Sequence, residues 1–175
     1  MAKNKYIIYL VASIIIIIGA TLLYFQMYEK DTTGIFPNKL GDMNLAVYEE
    51  GDTAIKKIND LHGNSLRKIE KGYVVEYKSS SGSKAKFWVS ESVSNDNAVS
   101  LTTAMSKMVG KSGMYSDPIP MNIEGITVYF VLGHMEHMGL YHYFYPKDNK
   151  VYWIQIDNPD ESYRINIVKE SIRKI

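Results

Sequence analysis

A short segment bracketed by glycines contains the side chains of this sequence that are best suited to chemistry. Residues 133–139 have the sequence GHMEHMG, and three of the four histidines of the chain lie within nine residues of one another. Imidazole nitrogen binds zinc, copper and nickel, and thioether sulfur favours Cu(I). The segment therefore predicts a site for copper or zinc, with the candidate ligands His134, His137, His142, Met135 and Met138.

The spacing of these histidines leaves a second explanation open. H-x2-H-x4-H differs from H-E-x-x-H, the zinc signature in which two histidines share one helix face. A loop between two strands could bring His134 and His137 together, whereas residues three apart on a straight strand face opposite sides. The alternative is a solvated hairpin loop in which histidine and methionine occur together by composition.

Signatures of catalysis are missing from the sequence. Without cysteine there is no thiol nucleophile, and neither a G-x-S-x-G nor a G-x-G-x-x-G motif occurs. VGKSG at 109–113 resembles only the end of a P-loop, because the first glycine of that motif is replaced by Met105. We therefore expect a protein that is not an enzyme, and a hydrolase of unknown type is only the third hypothesis for its function.

The longest apolar run lies near the N-terminus. Residues 6–25 (YIIYLVASIIIIIGATLLYF) contain no charge, and about 20 such residues cross a ~30 Å hydrocarbon core as a helix. Two lysines precede the run and acidic residues follow it, which keeps the N-terminus in the cytoplasm. The sequence thus predicts a cytoplasmic N-terminus at 1–5 and a single-pass transmembrane signal anchor at 6–28, with the remainder of the chain outside the membrane.

A cleaved signal peptide is the alternative to an anchor. The first five residues form a basic n-region, and small residues occur at 19–21. No A-x-A pattern closes the run, which continues to Phe25 and exceeds the ~7–15 residues of a secretory h-region. An uncleaved anchor is therefore favoured, although the sequence alone leaves cleavage open.

Composition limits what the rest of the chain can do. The 20 basic and 19 acidic residues nearly cancel, so there is no electrostatic argument for binding nucleic acid. With no cysteine, the chain has no disulfides and must be stabilised by its core. Glycine and proline at 34, 37 and 41 indicate a stalk or linker at 29–44, which leaves 45–175 as one extracytoplasmic domain.

Periodicity predicts the elements of that domain. Apolar residues recur at helical spacing in three amphipathic segments, at 52–62, 95–109 and 159–172. Alternating residues and polar turns predict two β-hairpins, at 72–92 and 139–157, and further strands at 45–49 and 123–132. Each helix has one apolar face, so we expect the helices to cover one side of the sheet.

The predicted fold class is therefore α+β. An N-terminal transmembrane helix precedes a two-layer α/β sandwich, in which a mostly antiparallel sheet is backed by about three helices in the order β-α-β-β-α-β-β-β-α. The two hairpins resemble each other, since Phe87-Trp88-Val89 matches Tyr152-Trp153-Ile154 in character. This similarity suggests two degenerate halves, and chance similarity between two alternating hairpins is the alternative.

Alternation along the strands also predicts an aromatic surface. If the neighbours of Trp88 and Trp153 point at the helices, both tryptophans point the other way. Tyr141, Tyr143 and Tyr145 alternate with Leu140, His142 and Phe144 in the strand at 139–145, and one of these two sets joins the tryptophans. Exposed aromatic faces mark partner or ligand sites, so we expect a partner or ligand face at Trp88, Trp153, Tyr141 and Tyr143. The alternative is that a loop or a barrel-like closure covers this face.

Taken together, these features favour a membrane-anchored extracytoplasmic binding or interaction module. It would contact the membrane through its N-terminal helix and a protein partner, a second copy of itself or a small ligand through its sheet face. Nucleic acid is not an expected partner. A metal-binding domain that handles copper through the GHMEHMG segment is the alternative.

Overall fold

An eight-stranded antiparallel sheet organises the part of the chain that this computed structural model describes, residues 34–61, 69–134 and 140–175. The strands are β1 (Lys39–Leu40), β2 (Met43–Glu50), β3 (Lys71–Ser79), β4 (Lys84–Glu91), β5 (Ile119–Ile123), β6 (Ile126–Leu132), β7 (Tyr141–Lys147) and β8 (Lys150–Asp157). The helices are α1 (Asp52–Leu61), α2 (Asn95–Met108) and α3 (Glu161–Lys174), and a 3-10 turn, Val109–Ser112, follows α2.

The predicted transmembrane segment at 6–28 lies outside the described residues. None of the helices within the described ranges is long and apolar enough to span a membrane.

Side-chain caps determine where two of the helices begin. The Ser94 hydroxyl accepts a hydrogen bond from the Asn97 backbone N–H at 3.3 Å, as expected at the start of α2. The Asp160 carboxylate accepts one from the Ser162 N–H at 2.8 Å. Asp160 therefore caps α3, and this helix begins two residues later than the sequence indicated.

Residues 35–44, which the sequence assigned to a stalk, belong to the folded unit that spans Ile35–Ile175. Phe36 is fully buried, and its ring packs against Tyr48 and Tyr73 with centroids 6.1 and 5.6 Å away. The short strand β1 pairs with β2. Proline and glycine here mark the entry to the sheet, and the domain begins before residue 45.

A hairpin replaces the single strand predicted at 123–132. Glu124 and Gly125 adopt φ values of 52° and 79°, and β5 and β6 pair antiparallel on either side of them. Two consecutive residues with positive φ form the tight turn that suits strand twist. The sequence pattern of β5 is weak because Pro118 precedes the strand and Pro120 lies within it, and proline in a strand is typical of a sheet edge.

The strand order β1-β2-β3-β4-β8-β7-β6-β5 is symmetric about the β4–β8 pair. Each half contributes four consecutive antiparallel strands. The last strands of the two halves, β4 and β8, meet at the centre of the sheet. The middle of the sheet is therefore formed by the two segments whose similarity is visible in the sequence.

One face of the sheet, here called the core face, packs against α3. Ile167, Val168 and Ile172 of the helix share a single apolar cluster with residues of all eight strands. The Tyr145 and Ser171 hydroxyls are hydrogen-bonded at 2.8 Å, which ties β7 to the helix. Most of the buried apolar residues of the described ranges belong to this cluster.

The helices α1 and α2 lie on the other face, here called the tryptophan face. Ala54 and Ile58 of α1 cluster with Val74, and Trp88 packs against them. Helix α2 contacts β7 and β8 and buries Ala98 and Thr102. Because α3 already occupies the core face of β7, α2 must cover the opposite face, where the Phe144 ring is fully buried.

The sheet is strongly curved around α3. The Tyr163 hydroxyl donates to Asp42 in the β1–β2 turn at 2.7 Å, and Arg173 pairs with Glu124 in the β5–β6 turn at 2.9 Å. Ten residues of helix separate Tyr163 from Arg173, a rise of about 15 Å. Six flat strand spacings would separate those turns by about 29 Å, so the edges of the sheet must curl toward the helix.

The predicted α+β class, the antiparallel sheet and the three helices that pack on it are confirmed. The helices are divided between the two faces, whereas we expected them on one. Amphipathic periodicity shows that a helix has one buried side, but it does not show which face of a sheet that side meets.

Candidate functional site

Two tryptophans lie at the centre of the tryptophan face. Trp88 on β4 and Trp153 on β8 are direct cross-strand partners, and both side chains are half-buried. Lys86 and Gln155, also half-buried, form the next cross-strand pair on the same face. These four residues lie between α1 and α2 and are called the inter-helix strip below.

Stacked aromatic rings support the strip from one side. The Trp153 and Phe144 rings stack with centroids 5.0 Å apart and planes within 8°. Phe144 in turn stacks on Tyr129, with centroids 5.1 Å apart and planes within 19°. All three residues occupy one cross-strand row, so their rings form a continuous layer that restricts the rotamer of Trp153.

A buried histidine fixes the indole of Trp153. The indole N–H donates to Nδ1 of His142 at 3.1 Å, and the His142 side chain is 1 % exposed. Indole only donates, so Nδ1 must be an unprotonated acceptor and the neutral ring carries its proton on Nε2. The bond therefore orients Trp153 and sets the His142 tautomer at the same time.

Tyr115 covers this histidine and Trp153. Its ring meets His142 and Trp153 edge-on, with centroid distances of 5.1 and 5.3 Å. A bridge to Gly133 and the Ser116 N–H donating to the Leu132 carbonyl at 2.9 Å attach this segment to β6. Burial raises the pKa of Tyr115 to about 12, so the phenol is neutral at physiological pH.

Lys86 supplies positive charge to the strip. Its ammonium lies 4.9 Å from the Trp88 ring centroid, in range for a cation–π contact. Its cross-strand neighbour Glu76 forms an ion pair with Lys78 at 3.2 Å. The strip therefore combines two aromatic surfaces with one ammonium and one neutral amide.

Tyr141 and Tyr143 are not part of this surface. They alternate with His142 and point to the core face, where Tyr143 is 1 % exposed. Nε of Arg164 donates to the Tyr143 hydroxyl at 3.0 Å, and the guanidinium lies 3.6 Å from the centroid of the Tyr141 ring. These two tyrosines hold α3 on the sheet, and His142 and Phe144 are the β7 residues that join the tryptophans.

The predicted metal ligands fall into two groups. His137, Met135 and Met138 lie outside the described residues. His134 is exposed, and its Nδ1 lies 3.3 Å from the Gly113 carbonyl oxygen, which can only accept a hydrogen bond. Nε2 of His134 is then left with the lone pair that metal coordination needs.

His142 does not suit a metal site. A metal-binding imidazole coordinates through one nitrogen and normally donates from the other. Nδ1 of His142 accepts from Trp153 instead, so coordination through Nε2 would require loss of the only ring proton. Within the described ranges, no group of three or more histidine, aspartate or glutamate residues could hold a metal ion. Metal binding at 133–139 stays a prediction that depends on His134 and the segment after it.

Sequence reasoning missed several residues of this site. Lys86 and Gln155 share the parity of the tryptophans, so strand alternation could have found them. Tyr115 could not be found in this way, because a loop distant in sequence brings it onto the sheet. His142 belongs to one of the two alternating sets between which the sequence left the choice open, and the register pairs it with Gln155, diagonally beside Trp153.

Comparison with protein-family models, with curated proteins and with solved structures finds no match for this chain. The function proposed below is therefore inferred from the geometry of the described residues.

Proposed function

We propose that this chain is a membrane-anchored extracytoplasmic binding module whose ligand occupies the inter-helix strip. The partial exposure of Trp88 and Trp153 carries this proposal. Their row neighbours Val74 and Phe144 are buried, each on the side where a helix packs. The two largest aromatic side chains of the face are thus the ones left partly exposed between the helices, and exposed aromatic surfaces mark ligand sites.

The distance between α1 and α2 limits what can bind to the strip. Helix α1 packs mainly on β3, and α2 packs on β7 and β8. Three strand spacings, about 14 Å, separate β3 from β7, and a helix with its side chains is about 10 Å wide. Because α2 lies on β8 as well as on β7, the gap that remains between the helices is at most about 4 Å, which matches a flat ring or a single side chain. It favours a small ligand with a flat apolar group over a globular protein surface or a second copy of the domain.

The polar half of the strip suggests how such a ligand would be oriented. The Lys86 ammonium and the Gln155 amide lie one strand row away from the tryptophans on the same face. A flat group stacked on the indoles would place an attached carboxylate or another acceptor near these donors. The proposed ligand class is therefore a flat apolar molecule with an anionic or acceptor group at one end.

Photocrosslinking in cells tests this site without knowledge of the ligand. A benzophenone amino acid placed at Gln155 of the full-length chain should give an adduct of defined mass, and Trp88→Ala should suppress it. The matched control is the same amino acid at Lys107, an exposed residue of α2. Equal adducts from both positions, or none from Gln155, would contradict the strip as the site.

The proposal includes an uncleaved anchor at 6–28 with the N-terminus in the cytoplasm. Its support is the uncharged length of the run and the lysines that precede it. Protease added outside spheroplasts should therefore digest Ile35–Ile175 without lysis. Full protection of this unit would reverse the orientation.

We also infer that the domain consists of two degenerate halves. The symmetric strand order and the pairing of the two tryptophans at its centre support this inference. An alignment of related sequences in which the halves show no more similarity than unrelated hairpins would count against it.

A further inference from the structure

A second polar cluster lies on the core face, on the opposite side of the sheet from the strip. It is formed where β2 and β4 end and where β3 and β8 begin. In register, Glu50 faces Tyr73, and Val89 lies between Tyr73 and Tyr152. The tyrosine–glutamate cluster comprises Tyr48, Glu50, Tyr73, Glu91 and Tyr152.

The Tyr152 hydroxyl is the unusual member of this cluster. Its side chain is fully buried, and its hydroxyl has no hydrogen-bond partner among the described residues. Burial raises the pKa of Tyr152, and the nearby charges of Asp148 and Glu91 raise it further. The phenol is thus neutral and lies close to carboxylates without being bonded to them. Buried polar groups normally have a hydrogen-bond partner.

The other polar groups of the cluster present mainly acceptors. The Tyr48 hydroxyl donates its proton to Glu50 at 2.6 Å, and the Tyr73 hydroxyl donates to Glu91 at 3.3 Å. Each phenol oxygen keeps lone pairs, and each carboxylate can accept further bonds. A molecule that binds to these acceptors, the Tyr152 oxygen among them, therefore has to supply several N–H or O–H donors.

The charges at the cluster also favour a ligand with N–H donors and positive charge. The ion pairs within the described ranges do not include Glu50 or Glu91. Lys71 and Lys150 are the cross-strand neighbours of Glu91, but the Lys150 ammonium donates to the Asn149 side-chain oxygen at 3.1 Å. Among the described residues no cation contacts either carboxylate, and Glu91 accepts one further bond from the neutral Asn149 amide at 3.2 Å.

We propose that the tyrosine–glutamate cluster binds a primary ammonium group. An ammonium supplies three donors and one positive charge, and aromatic rings attract it through their faces. Glu50 is exposed, and Tyr48 and Glu91 are half-buried, so the group enters past Glu50. Tyr152 is then the innermost contact. The ammonium comes either from a small free amine or from a lysine side chain of a polypeptide.

Calorimetric titration of the full-length chain in detergent micelles tests this proposal. The probes are cadaverine for the free amine and Nα-acetyl-lysine amide for the polypeptide source. Saturable binding of either one supports the site, and the probe that binds more tightly identifies the source. Tetramethylammonium, which has the charge but no N–H donor, should bind at least about tenfold more weakly.

Two variants separate a ligand contact from a structural role. Tyr152→Phe should weaken amine binding by about tenfold or more, because it removes the innermost acceptor. Tyr145→Phe is the matched control, since this tyrosine stacks on Tyr152 at 4.9 Å but bonds Ser171 instead. Equal affinities of the two variants, or no saturable binding by the unsubstituted chain, would overturn the proposal.

Discussion

Trp88 and Trp153 are cross-strand partners at the centre of the β4–β8 pair, where the two similar hairpins meet. Phe87 pairs with Ile154 and Val89 pairs with Tyr152, so exchanging the two hairpins reproduces the same pairs. The environments of the two indoles nevertheless differ. Trp153 bonds His142 and stacks on Phe144, whereas Trp88 packs against α1 and lies beneath Lys86.

This difference predicts unequal costs for the same substitution. Trp153→Phe removes the donor to a buried imidazole nitrogen and should lower the free energy of unfolding by about 1–3 kcal/mol. Trp88→Phe breaks no bond to a buried acceptor among the described residues and should cost less than about 1.5 kcal/mol. Denaturant unfolding of both variants measures the difference. Equal losses of unfolding free energy would show that the hydrogen bond to His142 does not stabilise the fold.

The position of α2 on the tryptophan face predicts a steric effect at Ala98. This residue is fully buried, and α2 contacts β7 and β8. Ala98→Leu should lower the free energy of unfolding by about 1–3 kcal/mol, because the added methyl groups push the helix from the sheet. Ala104→Leu on the exposed side of the same helix should change it by less than about 0.5 kcal/mol. Thermal unfolding followed by circular dichroism tests both, and a tolerated Ala98→Leu would contradict this packing.

The buried tyrosines predict loss of stability in alkali. Burial raises the pKa of Tyr115 from 10.0 to about 12, and it also raises the pKa values of Tyr145 and Tyr152. Below about pH 10 both the folded and unfolded chains hold these protons, so the stabilisation is complete. Between about pH 10 and 12 the unfolded chain loses them first, and stability should fall as pH rises.

Phenolate absorbance and circular dichroism recorded through the same pH titration provide the measurement. These tyrosines should ionise together with unfolding, and Tyr115→Phe should reduce the dependence of the free energy of unfolding on pH. Ionisation of every tyrosine near pH 10 with the fold intact would contradict the burial of these side chains.

The predicted metal segment has its own test. Cu(I) titration of the full-length chain should show binding that is lost in the double variant His134→Ala with His137→Ala. His142→Gln should leave the affinity unchanged, because Nδ1 of His142 already accepts the Trp153 indole proton. If Cu(I) binding is absent, or is weak and equal in the double variant, the metal-site hypothesis for residues 133–139 is wrong.

Much of the local structure could be predicted from the sequence. Helix α1 begins at residue 52 and α2 at residue 95, as predicted, and β8 has the predicted bounds 150–157. Strand alternation correctly placed Trp88 and Trp153 on the face opposite Phe87 and Ile154. These features depend on residues close together in the chain, because periodicity and capping act over one or two turns of helix or a few strand residues.

Only the tertiary structure decided which surfaces meet. It placed helices on both faces, set His142 diagonally beside Trp153 within hydrogen-bond distance, and brought Tyr115 over both. It also left Tyr152 buried beside carboxylates on the core face. The sequence determined the strands, the helices and the buried side of each. Long-range pairing set the register and the choice of face, since a strand with apolar residues on both sides accepts a helix on either one.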